Sequence, residues 1–178
     1  RVLAKYHIKG PYLLNVATWE PRKNIATLIK AFLSVKSEGK LPQHTLLLSG
    51  KPGIASEEIV RLVTNAGAHI QALGYVPRED LPALYTGADA FVFPSLYEGY
   101  GMPVAEALAC GTRVVTTDSV ELREAGGDRC IYVQPTEAGV KSGIEFACLQ
   151  DTTPAAWDPP RTWSASGAIL AKEMARLV

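Results

Sequence analysis

Short, wholly apolar runs alternate with longer stretches whose apolar residues recur at helical spacing. "YLLNVA" (12–17) predicts a buried strand, and the residues after it place Ile25, Leu28, Ile29, Phe32 and Leu33 on one helical face, with Asn24 as its N-cap. The same alternation continues: "HTLLLSG" (44–50) predicts a strand, 56–67 a helix, "IQALGYV" (70–76) a strand, 78–88 a helix and "DAFVFPS" (89–95) a strand. "MPVAEALAC" (102–110) predicts a helix, "RVVTT" (113–117) and "CIYV" (130–133) the last strands, and 136–149 and 163–178 closing helices around the Pro-rich "DTTPAAWDPPRT". Strand runs that are continuously apolar, separated by helices, predict a parallel sheet covered on both faces, an α/β doubly wound Rossmann-like domain.

Composition narrows the class. The chain has 178 residues, 47% apolar and 20% charged, enough for a single cored domain over 1–178. The formal charge is zero and no basic run exceeds Arg22-Lys23, which argues against nucleic acid as a partner. No transmembrane segment or secretory leader is visible, so a cytoplasmic location is expected. Cys110, Cys130 and Cys148 are odd in number, far apart and without a CxxC, so they read as small core residues rather than a disulfide framework or zinc site.

In an open parallel sheet, ligands bind beyond the carboxyl ends of the strands, so the loops there carry the candidate chemistry. "TWEPRKN" puts Arg22 and Lys23 just before a helix N-terminus, where the helix dipole disfavours cations unless an anion lies between. The alternative is two solvated charges partly offset by Glu20. "SGKPG" is a flexible loop with one cation, Lys51. "SLYEGYGMPVAEALAC" begins at Ser95, flanks Tyr100 with Gly99 and Gly101, and carries Glu98 before them and Glu106 within the helix that Met102 opens. Glycines there let backbone amides approach a ligand closely. Glu106 is the sole polar side chain from Met102 to Cys110, and a helix apolar all round is usually buried, so its carboxylate calls for a partner. Cations, free amides and two carboxylates together suit a nucleoside-diphosphate sugar: diphosphate for the first two, sugar and ribose hydroxyls for the third.

These residues carry a family resemblance. "FVFPSLYEGYGMPVAEALACGTRVVTT" closely resembles the E-x7-E region of the retaining glycosyltransferases of family 4, and "YLLNVATWEPRKNIATLIKAF", "LGYVPREDLPALYTGADAFVFPS" and "LREAGGDRCIYVQPTE" resemble successive blocks of that family's C-terminal, donor-binding domain. The resemblance spans about Tyr12 to Glu137, with "RTWSASGAILAKEMA" a looser counterpart of the closing helix. It implies one half of a GT-B fold. Glu98 would contact donor sugar hydroxyls, the amides from Gly99 to Gly101 the sugar and phosphates, with Ser95 and Met102 lining the same segment. Glu106 would hold the ribose, Lys23 the diphosphate with Arg22 in support, and backbone groups near Val76 the base. Many members have Arg where this chain has Thr18 and Gly where it has Ala17, which leaves the number of phosphate cations open.

The resemblance further implies no metal or other cofactor, retention at the anomeric carbon, and polysaccharide or lipid-linked acceptors. "EPRKN" with Thr18 is similar to bacterial mannosyl- and rhamnosyltransferases of surface polysaccharide assembly, which favours GDP-mannose. A partner domain, the protein's own N-terminal acceptor-binding half, is expected outside this chain; it would supply any peripheral attachment to the inner face of the membrane, and the isolated chain would bind donor without transferring sugar. The competing readings are a sugar-nucleotide epimerase of the same architecture and a noncatalytic nucleotide-binding module; against a dinucleotide binder, "ATWEPRKN" lacks the G-x-G-x-x-G fingerprint.

Overall fold

The computed structural model describes residues 1–150. Six strands form one sheet, β1 (Tyr12–Val16), β2 (Thr45–Ser49), β3 (Ile70–Gly74), β4 (Ala90–Phe93), β5 (Val114–Thr117) and β6 (Cys130–Val133), ordered β3-β2-β1-β4-β5-β6 with every pair parallel. The strand order changes direction between β1 and β4, the switch point at which such sheets bind ligands. Register runs Tyr12↔Thr45 to Val16↔Ser49 across β1 and β2, and Leu13↔Ala90, Leu14↔Phe91 across β1 and β4.

Among the described residues seven α-helices flank it: α1 (Val2–Lys5), α2 (Ile25–Ser37), α3 (Glu57–Asn65), α4 (Leu81–Thr86), α5 (Met102–Ala109), α6 (Val120–Gly126) and α7 (Glu137–Leu149). Successive strand side chains point to opposite faces, and here both faces are apolar. Leu13, Leu46, Leu48, Val92 and Val115 pack with α2, α3 and α7, while Tyr12, Leu14, Leu47, Phe91, Phe93 and Val114 pack with α4, α5 and α6. Each fully buried side chain of this size contributes about 1.5–3 kcal/mol, which is why the strands read as unbroken apolar runs. Helix α7 approaches β5 and β6 closely because Gly143 faces them; a Cβ there would fall 2.5 Å from Val115 Cγ1 and 2.8 Å from Val133 Cγ1.

Sequence and structure agree on the six strands and on α2, α3, α4, α5 and α7, with ends that coincide or are trimmed by up to three residues. Two helices were not expected. Helix α1 docks on α4 through Asp80 Oδ2, which accepts from Lys5 Nζ (2.6 Å) and Tyr6 Oη (2.7 Å); the Lys5 ammonium holds the Asp80 carboxyl below its ordinary range. Helix α6 is capped by Ser119, whose hydroxyl accepts from the Leu122 amide at 3.3 Å. The closing helix over 163–178 lies outside the described residues.

The cysteines are free and only partly buried, so the core reading holds in a weakened form: they adjoin the two apolar layers, and burial pushes the Cys130 and Cys148 thiols up to about 12.

Candidate functional site

The loop after β1 owes its shape to its neighbours. It continues the pairing with the loop after β2: Ala17 donates to the Ser49 carbonyl (3.0 Å), Trp19 to that of Lys51 (2.9 Å), and Gly53 to that of Trp19 (3.0 Å). Gly50, at φ 128°, lies where a Cβ would sit 1.9 Å from the Ala17 carbonyl oxygen, so no other residue fits. The "SGKPG" loop is therefore tied to the loop after β1 through its backbone. Pro21–Lys23 then forms one 3-10 turn and Asn24, at φ 55°, turns the chain into α2.

That turn aims Lys23 inward and leaves Arg22 at the surface. Lys23 Nζ meets Glu98 Oε1 at 2.5 Å, with side-chain exposures of only 11% and 9%, and stands 5.2 Å above the Phe93 ring. Arg22 Nη1 is 3.7 Å from Glu98 Oε2, and its Nε donates to Glu20 Oε2 at 2.9 Å. Two residues 75 apart in sequence thus form a nearly dry, charge-assisted pair from the loops of β1 and β4, the strands on either side of the switch point. Glu20, Arg22, Lys23 and Glu98 sum to zero charge. Arg22 fits the reading of a surface charge offset by Glu20, whereas Lys23 is not a solvated charge but is desolvated against Glu98. A pair so buried stabilises a fold poorly compared with apolar packing of the same volume.

The two loops are also stitched through their backbones. The Leu96 amide donates to the Arg22 carbonyl at 2.8 Å, and the buried Ser95 hydroxyl lies 3.1 Å from the same carbonyl and 3.2 Å from that of Tyr97. Ser95 joins the loops rather than presenting a free hydroxyl.

Beyond Glu98, Gly99 is exposed, with open space where a Cβ would stand, and Tyr100 packs against the α4–α6 layer. Gly101 takes φ 97° at the start of α5, where no side chain caps the helix and Pro103 lacks an amide proton. Met102 is exposed. Helix α5 is not buried all round, as its apolar sequence suggested: Val104, Ala107 and Leu108 are buried and Ala109 is exposed. Glu106 is half-buried and has a partner the sequence reading missed, the Tyr85 hydroxyl, which donates to Oε2 at 3.1 Å. Tyr85 is 1% exposed; burial first, and the Glu106 carboxylate second, push its phenol far above the ordinary range. The available signal was a tyrosine on an apolar helix face, whose hydroxyl needs an acceptor when buried.

Asn24 departs from the expected N-cap role. It occupies the N-cap position of α2, yet its side chain makes no cap bond and donates instead to the Pro94 (3.1 Å) and Pro135 (3.0 Å) carbonyls. The first turn of α2 is left without a side-chain cap, the state in which amides at a helix start suit an anion. Lys51 and Val76 lie on the adjacent loops after β2 and β3. Lys51 is exposed, its ammonium 6.0 Å from the Tyr75 ring, while the Val76 side chain is buried, leaving its backbone as the candidate contact. The structure thus gathers Arg22, Lys23, Ser95 and Glu98 into one cluster, places Gly99 to Glu106 beyond it, and sets Lys51 and Val76 on neighbouring loops. Among the described residues, no three His, Cys, Asp or Glu side chains are grouped to hold a metal ion, and no helix is long and apolar enough to cross a membrane.

The sequence profile described as "Glycosyl transferases group 1" matches residues 4–135. O-antigen chain mannosyltransferase B of Escherichia coli is 39% identical over 153 residues, 84% of this chain and 40% of that protein. Mannosylfructose-phosphate synthase of Agrobacterium fabrum is 54% identical over 122 residues, 64% of this chain and 26% of that protein. Among solved structures, sucrose-phosphate synthase from Thermosynechococcus elongatus superposes with a TM-score of 0.78 at 23% identity, covering 99% of this chain and 48% of that one, a likeness of fold. The chain spans well under half the length of these curated relatives.

Proposed function

This chain belongs to the group 1 glycosyltransferases, and from that premise we propose that it is the donor half of a retaining GT-B mannosyltransferase that takes GDP-mannose and acts in polysaccharide assembly. The observation that carries the reading is the Lys23–Glu98 pair, 2.5 Å apart at the sheet's switch point. The mannosyl preference is supported by the relatives named as mannosyltransferases.

In this reading Glu98 orients the sugar by accepting its hydroxyls, and Glu106 accepts from the ribose. The amides of Gly99 to Gly101 and the uncapped start of α2 face the diphosphate beside Lys23. The reaction breaks the bond from the anomeric carbon to the β-phosphate oxygen and forms one to the acceptor oxygen on the same face. The acceptor proton leaves on the departing phosphate. Charge developing on the nucleoside diphosphate is met by Lys23, Arg22 and fixed amide dipoles, which need no reorganisation as it forms, so no metal ion is required. Glu98 works by position, not as a nucleophile; orientation alone can lower such a barrier by several kcal/mol. The acceptor is bound by a further N-terminal domain of the whole protein, which also provides any attachment to the inner face of the membrane from the cytoplasm.

Two substitutions test the cation assignment by calorimetry with GDP. Lys23→Ala is expected to weaken binding at least about tenfold, the loss of a desolvated charged hydrogen bond. Arg22→Ala, at an exposed position paired to Glu20, is expected to cost less than about threefold. Unchanged affinity in Lys23→Ala contradicts the proposal.

A further inference from the structure

Asn24 stands where helix-capping side chains stand, and it does not cap. Asparagine is among the preferred N-cap residues because its oxygen accepts an amide proton of the first turn, but at φ 55° its side chain points away from α2 and uses both amide protons on carbonyls 70 and 111 residues distant. Those carbonyls belong to Pro94, just past β4, and Pro135, just past β6 and before α7. One side chain therefore ties together the loops after β1, β4 and β6. The left-handed backbone admits Gly or Asn most readily, and only Asn supplies the fork.

Its neighbours show what the fork holds. The preceding residue is Lys23, on Glu98; the residue after Pro94 is Ser95, whose hydroxyl, like the Leu96 amide, meets the Arg22 carbonyl. Each of these bonds depends on the β1 and β4 loops keeping one separation, and the Asn24 bond to the Pro94 carbonyl adds a further tie between them.

We propose that Asn24 is a positioning residue of the donor site: its forked amide sets the separation of the β1 and β4 loops, aims Lys23, and leaves the first turn of α2 open to the diphosphate. The inference rests on the donor-site reading of Lys23 and Glu98 given above. Replacing Asn24 by Gly keeps the backbone conformation and removes the fork; Asn24→Asp keeps the shape, removes both donors and brings a carboxylate to the two carbonyls.

The test pairs two readouts on the 178-residue chain and both variants: calorimetric affinities for GDP and for GMP, and hydrogen exchange at the Leu96 amide. With the fork gone, GDP affinity is expected to fall about five- to tenfold, as for one or two lost hydrogen bonds, while GMP, which lacks the β-phosphate, changes less than twofold. Leu96 is expected to lose protection in parallel. A merely destabilising change would not alter the GDP-to-GMP ratio. An unchanged ratio, or unchanged Leu96 protection, overturns the proposal. If the unsubstituted chain binds no GDP, the diphosphate reading itself fails and the positioning role with it; the exchange data then show whether Asn24 is a loop clamp alone.

Discussion

Tyr85 brings one hydroxyl into an apolar layer and turns it on Glu106, while its ring packs edge-on to Phe91 with centroids 5.2 Å apart. The bond ties the half-buried carboxylate of α5 to a buried side chain of α4. Glu106→Gln is expected to weaken GDP binding by about 1 kcal/mol or more, the scale of a charge-assisted hydrogen bond. Tyr85→Phe should cost less, and the two changes should be non-additive in a double-mutant cycle because they share one contact; strict additivity would show that Tyr85 does not orient Glu106. Much at this scale was legible. The lack of any other polar side chain between Met102 and Cys110 marked Glu106 as needing a partner, and its spacing from Glu98 marked the pair. The partner's identity was not legible, because Tyr85 lies 21 residues earlier and only the packing of α4 on α5 brings the two together. Asn24 misled for a related reason: capping is a local rule, and the bonds that overrode it reach Pro94 and Pro135.

Helix α5 begins at Gly101 in a conformation that L residues avoid, with φ 97° and Leu122 Cδ2 standing 2.7 Å from where a Cβ would be. Gly101→Ala is expected to destabilise the chain by about 1–2 kcal/mol from the backbone alone. Urea denaturation checks the value, and a loss below about 0.5 kcal/mol would mean that the α5 start relaxes freely. Gly99 has no such internal constraint, so Gly99→Ala should leave stability unchanged and, in the proposed function, reduce donor affinity. The unexpected elements are the short ones. Helix α1 has four residues and α6 seven, too few to display a 3.6-residue period. The start of α6 still had a signal in Ser119, a capping residue just before Val120. Continuously apolar strands, by contrast, were easily read, because the four inner strands β2, β1, β4 and β5 are buried at nearly every position, whereas the edge strands β3 and β6 are mostly half-buried.

At the scale of the whole molecule, strand order was not written in any single segment. Alternation of strands and helices required a parallel sheet, but only the structure places β1 beside β4 and so brings residues 22–23 against residue 98. The family match covers 4–135, and the curated relatives run well beyond the length of this chain. In the proposed function, donor binding is the step this chain should perform unaided, since Lys23, Glu98 and Glu106, the residues assigned to it there, all lie within the chain. The most direct measurement is calorimetric titration of the chain with GDP-mannose in the presence of EDTA, beside UDP-glucose, UDP-N-acetylglucosamine and dTDP-rhamnose. The account predicts saturable binding of GDP-mannose, at least about tenfold tighter than the other three, undiminished by the chelator; binding of none of them, or binding only after a divalent metal is restored, would contradict it.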